Sequence, residues 1–131
     1  MIFVDTSAII AGLNASDANH ETAVKAWEKL LSDGARLLTT NYVLVESAAL
    51  IQGRLGMTSA RAFVEDIVPL LEIEWVDESL HGAGESAFLA ASRRKLSFVD
   101  CVSFEFMRRV GIRRAFSFDG HFRQYGFSRV P

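Results

Sequence analysis

The chain has 131 residues, of which 50% are hydrophobic and 23% are charged, and its formal net charge is -2. This length suits one domain, which we expect to span residues 1–131 and to bury a core without disulfide or metal staples. The slight acidity excludes a protein that binds nucleic acid through a broad basic face, so contacts with phosphates must use local basic clusters or metal ions. Cys101 is the only cysteine, which excludes an intramolecular disulfide.

No segment has the features of a secretory signal or a membrane span. Residues 1–10 lack a basic start, and their apolar run is interrupted by Asp5, Thr6 and Ser7. No stretch is long and apolar enough to cross a bilayer. We therefore expect a cytoplasmic protein without membrane contact, and the single cysteine fits that reducing compartment.

The first half of the chain alternates between strand and helix patterns. Residues 2–4 predict a buried strand that ends at Asp5, and residues 36–39 predict a second strand. Between them, residues 20–33 predict an amphipathic helix that ends before Gly34. The chain therefore begins as a strand–helix–strand unit.

Two helices are predicted after the second strand. The first covers residues 42–53, is capped by Thr40 or Asn41, and is apolar on nearly all sides, which predicts a buried helix. The second begins at Thr58 or Ser59 and directs Phe63, Ile67, Leu70 and Leu71 inward. Arg61 and Glu65, four residues apart, can pair on its outer side.

The second half predicts two more helices and three more strands. The helices cover residues 77–95 and 98–110, and Gly111 ends the second. Small residues on one face of the first helix could pack at a dimer interface or could cover the sheet. The strands are expected at residues 73–76, at 115–118 and, as an edge strand, at 127–130.

This alternation of strands and helices continues without a repeat, a linker or a low-complexity segment. Parallel strands need crossover connections, and a sheet built in this way is buried on both faces. The fold class is therefore α/β, with a central parallel sheet of four to five strands and helices on both of its faces.

Four carboxylates that lie far apart in sequence are expected at one edge of this sheet. In an open parallel sheet, ligands bind beyond the carboxyl ends of the strands. Asp5 follows the first strand and Asp119 follows the fourth. Glu46 lies one to two turns into the helix after the second strand, and Asp100 lies in the first turn of another helix.

Glu46 is the most informative of the four. It is the only formal charge between Arg36 and Arg54, in a helix that otherwise looks buried, and no Lys or Arg stands three or four residues away. An isolated buried carboxylate is unstable by several kcal/mol or stays protonated. A bound cation would resolve this, although a distant Arg could pair with Glu46, or its side chain could reach solvent.

The other three carboxylates each have an adequate structural explanation. Asp5 could cap the following segment, Asp100 completes a capping-box pattern with Ser97, and Asp119-Gly120 is a common turn signal. Together, however, four clustered carboxylates repel one another unless counter-charge is present. Two divalent ions would balance them, and oxygen-only ligands suit Mg²⁺ or Mn²⁺ better than Zn²⁺. Such a pair acts as a clamp in phosphoryl transfer.

Four segments in this order carry a resemblance to a known family. They are IFVDTSA at residues 2–8, NYVLVES at 41–47, LSFVDCVS at 96–103 and FSFDGHF at 116–122. With them the chain resembles the PIN-domain nucleases over essentially its whole length, and most closely the VapC-type toxins of VapBC toxin–antitoxin systems.

The resemblance implies a three-layer α/β/α sandwich and a Mg²⁺- or Mn²⁺-dependent endoribonuclease. It implies that Asp5, Glu46, Asp100 and Asp119 hold the metals and are the catalytic residues. Hydroxyl residues next to the first and last Asp support such sites, which here means Thr6 or Ser7, and Ser117. It also implies a homodimer and an antitoxin that inserts into the site.

The basic residues and histidines outside the four carboxylates and their supporting hydroxyls can each be interpreted in two ways. Arg93, Arg94 and Lys95 could bind RNA phosphates, or they could form a solvated helix end with favourable dipole placement. The same holds for Arg108-Arg109 and for Arg113-Arg114. His121 could touch substrate, but an exposed loop histidine is the preferred interpretation, and His20 and His81 are interpreted as surface residues.

Other functions remain as alternatives. The chain could be a non-toxin PIN-domain ribonuclease in RNA processing, or a non-catalytic module that binds a metal or a basic partner in the same acidic pocket. A phosphatase of the haloacid-dehalogenase type is disfavoured, because Ser7 stands where a second Asp is required. A DNA-directed 5′-nuclease is disfavoured because the chain lacks room for the extra elements of such enzymes.

Overall fold

A five-stranded, all-parallel sheet forms the centre of the protein, in a computed structural model that describes residues 1–131. Its spatial order is β3-β2-β1-β4-β5. The strands are β1 (Ile2–Val4), β2 (Leu37–Thr40), β3 (Glu72–Glu74), β4 (Arg114–Phe116) and β5 (Ser128–Val130). The helices are α1 (Thr6–Leu13), α2 (His20–Ser32), α3 (Asn41–Leu55), α4 (Met57–Ala62), α5 (Glu78–Ala91), α6 (Phe98–Val110) and α7 (His121–Gln124). None of these helices has the length and hydrophobicity to span a membrane.

Helices cover both faces of the sheet. The Phe3 ring of β1 packs on one face against Phe106 of α6 and Phe122 of α7. On the other face, the Phe116 ring of β4 lies 5.0 Å from the Trp27 ring of α2. The predicted α/β/α sandwich with a parallel sheet is confirmed, and the sheet has five strands.

The strand order reverses between β1 and β4. The chain builds the sheet outward from β1 through β2 to β3, then returns across it to add β4 and β5 on the other side of β1. Helices that follow β1 and β4 therefore leave the sheet in opposite directions, which opens a crevice at the carboxyl ends of these two strands. The fold thus provides one preferred ligand position.

Two strands end earlier than the sequence predicts, because side-chain oxygens accept hydrogen bonds from backbone N–H groups just beyond each strand. The predicted third strand at 73–76 is observed as Glu72–Glu74, and the Val76 N–H donates to Asn41 Oδ1 at 2.7 Å. The predicted fourth strand at 115–118 is observed as Arg114–Phe116, and the Phe118 N–H donates to Ser7 Oγ at 3.0 Å.

The helices differ from the prediction in several respects. Helix α1 was not predicted, since its eight residues are too few and too uniformly apolar to show a helical period. Helix α5 ends at Ala91 rather than at residue 95, because Ser92 adopts a left-handed conformation with φ of 48°. Leu70, expected to point inward, is 41% exposed, whereas the outer pair of Arg61 and Glu65 forms at 3.0 Å.

Helix α3 is not buried on all sides. Only Val43, Ser47 and Ile51 are fully buried, which is a single stripe, and Val45 is 68% exposed. The expectation of a fully buried helix was wrong because the packing of neighbouring elements, and not composition, decides which apolar faces are covered. This result changes the interpretation of Glu46.

The small residues of α5 serve a close contact with α6. A Cβ atom built on Gly84 would lie 2.4 Å from Cγ2 of Val102, a separation that real Cβ atoms do not show. The backbones of α5 and α6 can approach this closely only because residue 84 is glycine. The small-residue face is therefore packed inside the chain.

Candidate active site

Three of the four predicted carboxylates converge on the crevice between β1 and β4. Asp5 follows β1, Asp119 follows the end of β4, and Asp100 stands in the first turn of α6. Asp5 is 5% exposed and Asp100 is 9% exposed, while Asp119 is half-buried. Asp100 and Asp119 both lie within ion-pair distance of His121, and Ser117 links Asp5 to the backbone of Asp119. At this separation the charge on Asp119 raises the pKa of both other carboxyls.

Asp5 both caps a helix and belongs to this cluster. Its Oδ2 accepts from the Ser7 N–H at 3.3 Å, from Ser7 Oγ at 2.6 Å and from Ser117 Oγ at 3.1 Å. All three donors bind the same carboxylate oxygen, so Oδ1 is left for another partner. Burial raises the pKa of Asp5 even though these hydrogen bonds stabilise its charged form.

Two serine hydroxyls tie the ends of β1 and β4 together. Ser7 Oγ accepts from the Phe118 N–H, and Ser117 Oγ accepts from the Asp119 N–H at 2.9 Å. Each serine thus accepts a backbone N–H beyond β4 while it donates to Asp5. Asp5 and the loop that carries Asp119 are therefore held in one network.

Thr6 has a different neighbour from the two serines. Its Oγ1 accepts from Ser47 Oγ at 3.1 Å, and both residues are buried. This contact joins α1 to α3 next to Glu46. Thr6 therefore holds helices in place and does not touch a carboxylate.

Asp100 is oriented by a capping box at the start of α6. Ser97 Oγ accepts from the Asp100 N–H at 3.0 Å, and Asp100 Oδ2 accepts from the Ser97 N–H at 3.3 Å. Burial, together with the nearby charges of Asp5 and Asp119, raises the pKa of Asp100 to about 7. The hydrogen bonds from Ser97 oppose this rise but are outweighed.

His121 belongs to the cluster, contrary to the preferred interpretation as an exposed loop residue. Its side chain is 18% exposed, and Nδ1 lies 3.1 Å from Asp119 Oδ1 and 3.7 Å from Asp100 Oδ2. Nδ1 is buried but makes no aligned hydrogen bond. The spacing Asp119-x-His121 was visible in the sequence, but the direction of the His121 side chain depends on how α7 packs.

Glu46 stands apart from the other three carboxylates. It is half-buried on α3, it does not contribute to the raised pKa of Asp5 or Asp100, and it lies outside the cluster of Asp100, Asp119 and His121. Because α3 is exposed on one side, Glu46 is not an isolated buried charge. It does share a cleft with Val99, the residue before Asp100.

The basic residues are distributed over several places. Arg93, Arg94 and Lys95 form an exposed loop between α5 and α6, shortly before Asp100 in the chain. Arg108 pairs with Glu105 and lies over the Phe127 ring, and Arg109 donates to Ser79. Arg113-Arg114 stands at the amino end of β4, whereas the carboxylates lie beyond the carboxyl ends of the strands.

The donor set fits a divalent cation. One carboxylate oxygen each of Asp100 and Asp119 and one ring nitrogen of His121 lie within 4.8 Å of one another. Histidine is the only basic side chain within ion-pair distance of these acids. Carboxylates that repel one another and lack a cation of their own are stabilised when a hard cation binds, and oxygen donors suit Mg²⁺ or Mn²⁺.

Comparisons with known proteins agree with this geometry. The family model described as PIN domain matches residues 2–128. The chain is 37% identical to the 23S rRNA-specific endonuclease VapC20 of Mycobacterium tuberculosis, over 99% of this chain and 98% of the relative. It is 24% identical to the VapC ribonuclease of Aquifex aeolicus, over 99% and 96% of the two chains.

Solved structures give the same result. The crystal structure of M. tuberculosis VapC20, described as a sarcin-ricin loop cleaving toxin, matches with a TM-score of 0.87 and 35% identity, over 99% of this chain and 98% of that chain. FitAcB from Neisseria gonorrhoeae matches with a TM-score of 0.72 at 15% identity, over 100% and 97% of the chains, which supports the fold alone. The chain therefore belongs to the PIN-domain family, and the prediction of a nuclease that resembles the VapC-type toxins is confirmed.

Proposed function

We propose that this protein is a Mg²⁺- or Mn²⁺-dependent endoribonuclease and the toxin of a type II toxin–antitoxin pair. One observation carries the proposal: Asp5, Asp100 and Asp119 converge at the carboxyl ends of β1 and β4 without a Lys or Arg partner. A group of acids that lacks its own counter-charge at this position of an α/β sheet is suited to bind a cation with a phosphate substrate.

The chain's own residues would each have a definite part in this reaction. Asp5, Glu46, Asp100 and Asp119 would hold the ions, and those ions supply metal-activated water and stabilise charge on the phosphoryl oxygens. Ser7 and Ser117 fix Oδ2 of Asp5 and so orient its other oxygen. Ser97 orients Asp100. No side-chain nucleophile is required.

The substrate proposed is 23S ribosomal RNA. Support comes from VapC20 of M. tuberculosis, described as a 23S rRNA-specific endonuclease, to which this chain is 37% identical over almost its full length. The exposed loop of Arg93, Arg94 and Lys95 would bind phosphates outside the metal centre. Such contacts position RNA without reading its sequence.

The proposed assembly has two kinds of protein contact. One is a cognate antitoxin, which the VapC-type relatives and the description of VapC20 as a toxin support. The other is a second copy of the chain in a homodimer. We further propose that the chain acts as one domain in the cytoplasm, for which the unpaired, buried Cys101 is compatible evidence.

Cleavage of ribosomal RNA tests this function directly. Purified ribosomes and extracted 23S rRNA would be incubated with the protein plus Mg²⁺ or Mn²⁺, with EDTA, and with the Asp100→Asn variant. We expect discrete new 5′ ends, mapped by primer extension, only in the metal-containing reactions with the unchanged protein. Equal cleavage in EDTA or by Asp100→Asn would refute the metal mechanism, and no cleavage of any RNA would favour a binding module.

A further inference from the structure

A cleft lined by aromatic rings opens beside the carboxylate cluster. It has a volume of about 510 Å³ and lies between the start of α3, α5 and the start of α6. Tyr42, His81 and Phe98 supply its rings, and Glu46 and Val99, the residue before Asp100, are also among its lining residues. We call this the aromatic cleft.

The three rings of the aromatic cleft form one connected group. The centroids of His81 and Phe98 lie 5.1 Å apart, those of Tyr42 and His81 lie 5.7 Å apart, and Tyr42 stacks on Phe98 at 6.3 Å. Each ring is only half-buried. Their remaining surface is available to another flat, apolar group.

A hydrogen bond fixes the imidazole within this group. The hydroxyl of Tyr42 bonds to Nδ1 of His81, and Nε2 of His81 lies 3.7 Å from Glu85. His81, interpreted from sequence as a plain surface residue, is thus held by a tyrosine on another helix. Side chains that are oriented before binding lose little conformational freedom when a ligand arrives.

The position of the aromatic cleft relates it to RNA cleavage. Val99, which lines it, precedes Asp100 in the chain, and Glu46 is both a lining residue and a proposed metal ligand. Three residues before Phe98 in the chain, the exposed basic loop ends at Lys95. Because Val99 adjoins Asp100 in the chain, an RNA strand whose scissile phosphate lay at Asp100 would bring a neighbouring nucleotide close to this cleft.

We propose that the aromatic cleft binds an unstacked nucleobase next to the scissile phosphate. This inference rests on the proposed ribonuclease function and adds a specificity site to it. Unpaired RNA bases are recognised by stacking on aromatic side chains, whereas duplex bases are not accessible in this way. The cleft therefore favours cleavage within a loop where one flanking base is turned out of the stack.

The first arm of the test changes the RNA and leaves the protein unaltered. Once the cleavage site is mapped, short RNA hairpins that span it would carry an abasic ribose at each of the two positions on either side of the scissile phosphate. We expect one of these positions to lower kcat/KM about tenfold, as expected for the loss of one base–aromatic stack. The other positions should have clearly smaller effects.

The second arm changes the protein. His81→Ala and Phe98→Leu should each raise KM for the intact hairpin about tenfold, with a smaller change in kcat. On the hairpin with the sensitive abasic position, these variants should show no additional loss, because the interaction is already absent. Val110→Ala, at the end of α6 away from Phe98, and Tyr125→Phe, whose ring stacks on Phe104, are controls outside the cleft, and both should cleave like the unchanged protein.

A direct binding signal completes the test. The Asp100→Asn variant would be mixed with a hairpin that carries 2-aminopurine at the sensitive position, and stacking should quench its fluorescence. The same variant with His81→Ala should quench it less. This readout does not depend on catalysis, and His81 is exposed enough for its loss to leave the fold intact.

The outcomes separate this inference from the proposed function. The base-binding role alone would be overturned if metal-dependent cleavage had the same kcat/KM with and without the abasic positions and in the cleft variants. Variants that cleave RNA normally but escape inhibition by the antitoxin would assign the cleft to a protein partner and would also overturn it. If no RNA is cut by the unchanged protein, the proposed function fails and the inference fails with it.

Discussion

Two groups of acidic side chains in this protein have opposite electrostatic surroundings. Glu72, on the edge strand β3, accepts two hydrogen bonds from Arg36 at 2.8 and 2.9 Å, and these bonds lower its pKa. Asp100, in the crevice between β1 and β4, has a pKa raised to about 7 by burial and by neighbouring acids. One acid has its own counter-charge and the other does not.

The comparison indicates what each acid contributes. An exposed carboxylate with an Arg partner is a surface feature with a small effect on stability. Buried carboxylates that lack such a partner make the fold less stable, so their presence indicates a function that needs them.

The largest effect is expected for Asp100→Asn. Cleavage should fall by about 10²–10³-fold or more, because a proposed metal ligand is lost. In EDTA the same variant should melt at a higher temperature than the unchanged protein above pH 7, since a neutral amide removes the repulsion with Asp5 and Asp119. A variant that loses both activity and stability would show that Asp100 is structural.

The pH dependence of stability without metal provides the second test. Because the pKa of Asp100 rises from 3.8 in the unfolded chain to about 7 in the folded protein, the folded state holds this proton to higher pH. The resulting contribution is fully present below pH 4 and is lost as pH rises through about 7, by at most about 4 kcal/mol. Buried Asp5, whose pKa is also raised, adds in the same direction.

Thermal melts in EDTA from pH 4 to pH 8.5 measure this loss. Relative to Asp100→Asn, which serves as the control for all other titrating groups, the melting temperature of the unchanged protein should fall as pH rises across this range. Addition of Mg²⁺ or Mn²⁺ above pH 7 should recover stability, because cation binding favours the folded state. The same pH dependence of the melting temperature in EDTA for the unchanged protein and for Asp100→Asn would contradict the assignment of an uncompensated acid.

Ser117→Ala is expected to have the third largest effect. The change removes the hydrogen bond to Asp5 Oδ2 and the acceptor for the Asp119 N–H. Loss of such a supporting contact lowers metal affinity or activity by about 10–100-fold. Ser117→Thr keeps the hydroxyl and should recover most of the activity. If both variants cleave equally poorly, the effect comes from packing and not from the hydroxyl.

Glu46→Gln tests whether this residue belongs to the cluster. If Glu46 is a metal ligand at the margin of the site, the substitution should raise the Mg²⁺ concentration needed for half-maximal cleavage by about tenfold. Unlike Asp100→Asn, it should leave the pH dependence of the metal-free melt unchanged, because Glu46 does not raise the pKa of its neighbours. An unchanged metal requirement would remove Glu46 from the ligand set.

Much of the fold was predictable because its signals are local. Asp5 and Asp119 were placed at strand ends by apolar runs followed by turn residues, and the capping box of Ser97 and Asp100 was visible from its spacing. The parallel sheet followed from the alternation of elements. Convergence of distant residues then followed from the general rule that ligands bind at the carboxyl ends of such strands.

The remaining features depend on tertiary packing, which a single sequence does not encode locally. Whether α3 exposes Val45, and therefore whether Glu46 is a buried charge, depends on which elements cover that helix. The orientation of His121 towards Asp119 depends on the packing of a four-residue helix. The contact between Tyr42 and His81 joins residues 39 positions apart. None of these has a periodic signal.

The smallest effect is expected for Glu72→Gln, which tests the other half of the comparison. The substitution removes an exposed ion pair at an edge strand, where water and salt already screen the charges. RNA cleavage should be unchanged, and the melting temperature should shift slightly at low salt and not at all in high salt. Asp100→Asn is measured in the same assays. The two variants therefore distinguish a surface carboxylate from one that the reaction requires. If Glu72→Gln caused a large loss of cleavage, an acid with an Arg partner would also be needed for the reaction. The presence or absence of an Arg partner would then not distinguish structural from functional acids.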